Sequence, residues 1–198
     1  MRIYPPFLVS IAAVCLLSCR EASVETSSDK AEFEIATDSD TLVLSFRYLG
    51  GQIDTEGAPP LLRIYGDGRV LVHRVTGSRA PGDYALQLTH DELMGLLGSL
   101  ADKGVFTVTT DDLRSESTDS PPQATAAISD ATTTEITVHL KRFSPPGQPA
   151  VSPFDYTFRW YALQQSAQHR PDSQILRDLA AAERELLQLT QRDDLEKL

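Results

Sequence analysis

LLRIYGDGRVLVHRV (Leu61–Val75) is the stretch of sequence that decides the fold. Two runs rich in Leu, Val and Ile flank Gly66-Asp67-Gly68, and each alternates apolar and polar side chains, as a strand with one buried face does. Asp-Gly between such runs predicts a β-hairpin with a type I′ turn, since glycine accepts positive φ. A phosphate-binding loop is excluded here because a strand, not a helix, follows the glycines.

Alternation on both sides of this hairpin predicts further strands. They are Thr41–Leu49, Asp83–Leu88, Val105–Val108, Thr132–Phe143 and Phe154–Ala162. A short edge strand around Phe33 and Ile35 is an open alternative to flexible chain. The last strand carries an aromatic row on one face, which we interpret as core, with an exposed carbohydrate platform as the alternative. The row consists of Phe154, Tyr156, Phe158 and Trp160.

Two helices are predicted to pack on this sheet. The first begins at a capping box, Thr89 with Glu92, and ends near Gly104. Its buried stripe is Leu93, Leu96, Leu97 and Leu100, and Gly95 and Gly98 are interpreted as sites of close packing. The second follows Pro171-Asp172-Ser173, and we expect the charged end Arg192–Leu198 to fray. The sequence therefore predicts a single α+β domain with a mainly antiparallel sheet and two packed helices.

The N-terminus has the pattern of an export signal. Phe7–Leu17 is too short to span a bilayer, which takes about 20 apolar residues. Leu16-Leu17-Ser18-Cys19 resembles the lipobox of bacterial lipoproteins. That resemblance implies cleavage between Ser18 and Cys19 and lipid, palmitate included, on Cys19. An ordinary signal peptide cut elsewhere is the alternative. Arg20, where an inner-membrane lipoprotein would carry Asp, favours the outer membrane, with the domain facing the periplasm.

This reading divides the chain into three parts. Residues 1–18 are the signal peptide, residues 19–40 are the lipidated cysteine with a flexible acidic tether, and residues 41–198 are the α+β domain with a mobile loop at 109–131. The formal net charge of −10 argues against nucleic acid as a partner. Because Cys15 and Cys19 are the two cysteines, the lipobox leaves no thiol for catalysis, for a disulfide or for zinc.

Sequence patterns for catalysis and for metal or cofactor binding are missing. The four histidines are not spaced three to five residues apart, and no nucleophile elbow or Walker loop occurs. They are His73, His90, His139 and His169. We interpret His73 and His139 as solvated strand residues and His90 as a surface residue, and we predict no cofactor and no metal. A meeting of His73 and His139 across the sheet is the alternative for these two strand residues. The alternative is a cell-wall or sugar hydrolase with His73 or His139 as base and a carboxylate from Asp111 or Asp112.

The acidic loop invites comparison with a calcium site. Its acids are Asp111, Asp112, Glu116 and Asp119. The spacing lacks the alternating acids, central glycine and final glutamate of an EF-hand, so a solvated loop is the interpretation.

Two family resemblances bear on function. Four stretches are similar to an uncharacterised group of bacterial secreted lipoproteins, and this resemblance implies no activity. They are Leu62–Val72, Asp130–Phe143, Phe158-Arg159-Trp160-Tyr161 and Leu179–Leu198. The strand that ends in Gly50-Gly51 and the helix Thr89–Leu100 resemble the corresponding features of emfourin-type inhibitors of thermolysin-like metallopeptidases.

We therefore expect a membrane-anchored envelope lipoprotein that is not an enzyme. It would bind the membrane through Cys19 and an envelope protein through its domain. A periplasmic peptidase inhibitor is the alternative.

Overall fold

The hairpin predicted from Leu61–Val75 lies in the middle of the sheet. The computed structural model describes residues 30–50, 59–75, 80–109, 111–113 and 131–198. Its strands are β1 (Glu32–Glu34), β2 (Leu42–Leu49), β3 (Leu62–Tyr65), β4 (Arg69–Arg74), β5 (Gly82–Gln87), β6 (Thr133–Leu140), β7 (Arg142–Ser144), β8 (Phe154–Tyr161) and β9 (Glu196–Lys197). Its helices are α1 (His90–Asp102), α2 (Leu163–His169) and α3 (Gln174–Leu189), and residues 111–113 form a further helical turn.

The main sheet has seven strands in the order β8-β6-β2-β3-β4-β5-β9, and every neighbouring pair is antiparallel. A small second sheet pairs β1 with β7. The predicted α+β class with a mainly antiparallel sheet is confirmed.

The turn of the central hairpin differs from the predicted type I′. Ile64 pairs with Val70, and three residues, Gly66 to Gly68, make the connection. Gly68 has φ +87° and its N–H bonds to Tyr65 O at 3.0 Å, whereas Asp67 has no positive φ. A three-residue loop that ends in one left-handed glycine is the next most common hairpin connection after the two-residue turns.

Helix α1 has the predicted caps. The Thr89 hydroxyl accepts from the Glu92 N–H at 3.2 Å, and the Glu92 carboxylate accepts from the Thr89 N–H at 2.8 Å. At the other end Gly104 has φ +77°, its N–H bonds to Ala101 O, and the next N–H bonds to Leu100 O, which is a Schellman motif. The close packing predicted at Gly95 and Gly98 is wrong, because a Cβ at either position would meet nothing within 4 Å.

Two elements near the C-terminus differ from the prediction. Helix α2 was not predicted; it starts just after Ala162, whose φ of +53° turns the chain sharply out of β8. The end of the chain does not fray. Glu196 and Lys197 form β9 on the edge of β5, and Leu195 is buried. The buried Arg74 donates to the carbonyl of Thr190 at the end of α3, where a cation complements the helix dipole.

Three strand boundaries also change. Val105–Val108 is a turn rather than a strand, because the Schellman motif folds it back onto α1. The predicted strand Thr132–Phe143 is interrupted at Lys141, so that β7 pairs with β1. The strand alternative around Phe33 is correct for Glu32–Glu34. The folded unit therefore extends into the predicted tether, while residues 19–29 and most of the loop 109–131 lie outside the described residues.

The helices all pack on one face of the sheet, which we call the helix side. Leu44 and Phe46 of β2 and Ile136 and Val138 of β6 point to it and are fully buried. The aromatic row of β8 also points to it: Phe158 is buried and the other three rings pack against the core, as predicted. In the described part of the chain, no helix is long and apolar enough to cross a membrane.

Candidate functional site: the open face of the sheet

The face of the sheet opposite the helices is polar and, within the described residues, uncovered. We call it the open face. Alternation places every second residue of each strand on it, so that charged and hydroxyl side chains stand in cross-strand rows. The charged and hydroxyl side chains of this face include Ser45, Arg47, Arg63, His73, Asp83, Glu135, Thr137, His139, Asp155, Thr157 and Arg159.

A buried carboxylate flanked by two arginines crosses three strands of this face. Arg47, Glu135 and Arg159 stand in register on β2, β6 and β8. Arg47 Nε donates to Glu135 Oε1 at 2.5 Å, and Arg159 Nε donates to Glu135 Oε2. The Glu135 side chain is 5 % exposed, whereas those of Arg47 and Arg159 are 39 % and 61 % exposed. Burial alone would raise the pKa of Glu135, but the two guanidinium groups outweigh burial and hold it below its usual value.

Glu135→Gln is therefore expected to lower the free energy of unfolding by about 1–2 kcal/mol at neutral pH, because two charge-assisted hydrogen bonds weaken. A carboxyl with a depressed folded-state pKa stabilises the fold above its unfolded pKa of about 4.3, and this contribution is lost as the pH falls through the folded pKa. The difference between wild type and variant should consequently shrink below about pH 4. Urea unfolding at pH 7 and at pH 3 measures it.

Glu196→Gln is the matched control, since it removes an exposed carboxylate of β9. It should change stability by less than about 0.5 kcal/mol at either pH. A Glu135→Gln penalty of the same size at both pH values would contradict the ion-pair account.

Arg63 on β3 has no hydrogen-bond or ion-pair partner among the residues that the structure describes. It stands between Ser45 on β2 and Leu71 on β4, close to the centre of the open face. Its Nε is buried without a hydrogen bond, and among the described residues its guanidinium has neither a hydrogen bond nor an ion pair. A hydroxyl row, Ser45-Thr137-Thr157, runs from Arg63 to the sheet edge. These groups present hydrogen-bond donors to anything that approaches the face.

The two strand histidines lie on the same face but do not meet. His73 Nδ1 is 2.7 Å from Asp83 Oδ1, and His139 Nδ1 is 2.6 Å from Asp155 Oδ1. Both are cross-strand pairs, and they lie on opposite flanks of the sheet: one joins β4 and β5, and the other joins β6 and β8. Three strand spacings, about 14 Å, separate the strands that carry the two histidines.

The hydrolase combination of His73 or His139 with Asp111 or Asp112 does not form. Asp112 makes a capping box with Thr109, whose hydroxyl and N–H hold the pKa of Asp112 below its usual value. It also lines a cavity of about 240 Å³ on the helix side of the sheet. The other lining residues are Asp102, Lys103, Gly104, Thr107, Val108, Ile175 and Asp178. The sheet itself separates this cavity from both histidines.

His90 is exposed on the first turn of α1, and His169 is exposed at the end of α2, near Gln165 O. In the parts of the chain that the structure describes, no three His, Cys, Asp or Glu side chains converge as metal ligands would. Ser18, Cys19, Glu116 and Asp119 lie outside the described residues.

Sequence reasoning missed the polar core beneath the helices. Glu183 of α3 is 2 % exposed, and its carboxylate accepts from Tyr48 at 2.6 Å, Thr134 at 3.1 Å and Gln164 at 2.6 Å. Burial, the hydrogen bond to Glu183 and its charge raise the pKa of Tyr48. The signal was present: Glu183 lies four residues after Leu179 and three before Leu186, so it interrupts the apolar stripe of α3. A polar residue in such a stripe predicts a buried network.

Comparison with protein-family models, with curated proteins and with solved structures gives no match for this chain.

Proposed function

We propose that this protein is a membrane-anchored lipoprotein of the bacterial envelope, and that the open face of its sheet binds another protein without catalysing a reaction. The lipid on Cys19 would hold it to the outer membrane, with the domain in the periplasm. Arg63 is the observation that carries the proposal.

An arginine without a partner is costly in the middle of a sheet. Its buried Nε loses hydrogen bonds to water and gains none within the described chain. The neighbouring guanidinium groups of Arg47 and Arg159 are, by contrast, tied to Glu135. A partner that supplies a carboxylate or carbonyl oxygen to Arg63 would remove this cost, and arginine is among the residues most enriched at the centres of protein interfaces.

The shape of the face supports a protein rather than a small molecule. Seven strands about 4.8 Å apart give a width of about 29 Å, the size of a standard protein interface. Small-molecule sites are concave pockets, and the described cavity lies on the helix side. The resemblance of residues 16–19 to a lipobox implies a lipid anchor, and with such an anchor the domain would need no membrane-binding surface of its own.

In-cell crosslinking with affinity capture of the full chain tests the proposal. We compare wild type with Arg63→Glu, with Arg177→Glu and with Cys19→Ala. Arg177 is an exposed residue of α3 on the helix side, so its substitution makes the same charge change away from the open face. We expect one envelope protein to be captured by wild type and by Arg177→Glu, to be lost with Arg63→Glu, and to be reduced with Cys19→Ala because the chain then lacks its anchor.

Equal capture by Arg63→Glu and wild type would contradict the role of the open face. Equal membrane attachment of Cys19→Ala and wild type would contradict the lipid anchor. Inhibition of a thermolysin-like peptidase by the purified protein, unaffected by Arg63→Glu, would favour the inhibitor alternative instead.

A further inference from the structure

The two ends of the main sheet differ in how far their edges are covered by a pairing strand. On one side β5 is paired with the two-residue strand β9. On the other side β8 is an eight-residue strand, and no strand in the described part of the chain pairs with its outer edge. A long edge strand offers a row of free N–H and C=O groups to another strand.

The hydrogen-bond pattern identifies the residues that offer those groups. The Ala162 N–H bonds to Thr132 O, in line with the β6–β8 register, so the even-numbered residues of β8 direct their backbone groups toward β6. The hydrogen bond from the His73 N–H to Leu61 O leads to the same assignment independently. Successive residues of a strand direct their backbone groups to alternate sides, so the registers of β3, β2 and β6 carry the assignment across the sheet to β8. Asp155, Thr157 and Arg159 therefore direct their N–H and C=O groups outward.

We propose that two copies of this chain associate by antiparallel pairing of β8 with β8, with Thr157 on the twofold axis. In this register Asp155 lies opposite Arg159 of the second copy, and Arg159 opposite its Asp155. Both side chains are well exposed, at 64 % and 61 %. Opposite charges directly across a pair of strands stabilise the pairing.

Charge selects this register over its neighbours. Only registers that match odd-numbered residues with odd-numbered residues satisfy the outward backbone groups. Among them, a twofold axis at Asp155 would oppose two carboxylates, and one at Arg159 would oppose two guanidinium groups. An axis at Tyr156 or at Phe158 would set Asp155 and Arg159 opposite uncharged residues. The axis at Thr157 instead makes two ion pairs and places two hydroxyls together. Arg159 binds Glu135 through Nε and keeps its terminal nitrogens for the second copy.

The helix side of β8 is complementary in the same register. Tyr156 then lies opposite Phe158 of the second copy, and Phe154 opposite its Trp160. Phe154, Tyr156 and Trp160 are only partly buried in one chain, so the pairing extends their burial. The same patch serves both copies, so the contact closes at a dimer. The open faces of the two copies then form one continuous surface.

Thr157→Cys in the full-length lipoprotein tests this pairing in intact membranes. Directly opposed residues in a hydrogen-bonded pair have Cα atoms about 5.5 Å apart, within disulfide range. Mild oxidation should give a disulfide-linked dimer. Asp155→Cys should not, because the two copies of residue 155 are offset by about 13 Å along the strands. The unsubstituted chain, with Cys15 and Cys19, gives the background.

A charge reversal completes the test. Asp155→Lys in the Thr157→Cys background replaces both ion pairs with repulsion, and we expect the dimer yield to fall about tenfold. Asp83→Lys is the matched control, since Asp83 makes the equivalent cross-strand pair with His73 on the far flank. It should leave the yield unchanged.

Three results would overturn the proposal: no dimer from Thr157→Cys, equal yields from Thr157→Cys and Asp155→Cys, or a disulfide from Thr157→Cys to a different protein. None of these depends on Arg63, so this proposal and the proposed function can fail separately.

Discussion

Gly66→Ala is expected to destabilise the domain by about 3 kcal/mol or more, because the new methyl group has no room. A Cβ on Gly66 would lie 2.0 Å from the carbonyl oxygen of Ala36 and 2.7 Å from its carbonyl carbon. Those atoms belong to backbone that crosses the hairpin, and the Gly66 N–H bonds to Thr41 O at 3.0 Å. Neither the crossing segment nor the hairpin can move away without breaking the hydrogen bond from the Gly66 N–H to Thr41 O. Denaturant unfolding of the purified protein measures the loss.

Substitutions at two other glycines distinguish the cost of a steric clash from the cost of an unfavourable backbone conformation. Gly50 has φ +74° but open space around its Cβ position, so Gly50→Ala should cost about 1–2 kcal/mol from backbone strain alone. Gly95 lies in α1 with open space and ordinary φ, so Gly95→Ala should raise stability by about 0.5–1 kcal/mol. Gly66 has no positive φ, and a Gly66→Ala protein as stable as wild type would show that residues 36–41 do not pack on the hairpin.

Glu183→Ala is expected to cost about 3–4 kcal/mol, since it removes the shared acceptor of one buried donor and two partly buried donors. Tyr48, Thr134 and Gln164 come from β2, β6 and α2, so this one carboxylate joins α2 and α3 to the sheet. Glu183→Gln should cost less but still weaken the fold. If its amide NH₂ takes the place of Oε2, it faces the NH₂ of Gln164, which cannot turn over without losing the bond from Arg184 to its oxygen. If the NH₂ takes the place of Oε1, the Tyr48 and Thr134 hydroxyls lose their acceptor.

Glu185 provides the control on the same helix. Its carboxylate binds Lys103 at 2.8 Å and Ser99 at 2.8 Å, but its side chain is 31 % exposed. Glu185→Ala should therefore cost less than about 1 kcal/mol. Equal losses for Glu183→Ala and Glu185→Ala in denaturant unfolding would contradict the view that Glu183 organises the helix side.

The elements that sequence reasoning predicted correctly are those whose signals are local. The caps of α1 lie within three residues of the helix ends, and the hairpin around Asp67 is indicated by the residues of a single turn. Helix α2 has only seven residues and β9 only two, too few for a periodic pattern. The tight crossing at Gly66 and the pairing of β1 with β7 depend on contacts between distant segments, which alternation of residue types does not reveal.

The difference between local patterns and contacts of distant segments also explains which parts of the candidate site could be predicted. Alternation of residue types along β2 and β6 is enough to assign Arg47 and His139 to the face opposite the core, which is where the structure has them. It did not place Arg47 beside Glu135, because that contact depends on strand order and register. The lack of a partner for Arg63 among the described residues likewise follows from its position between Ser45 and Leu71.

A photo-crosslinking amino acid at Thr137, with the same residue at Gln188 as control, tests the central claim most directly. Thr137 lies in the hydroxyl row of the open face, and Gln188 is exposed on α3. In living cells, the account predicts that Thr137 crosslinks to one envelope protein, that Arg63→Glu removes this product, and that Gln188 gives none of it. The same product from both positions, or from Gln188 alone, would contradict the assignment of the open face as the binding surface.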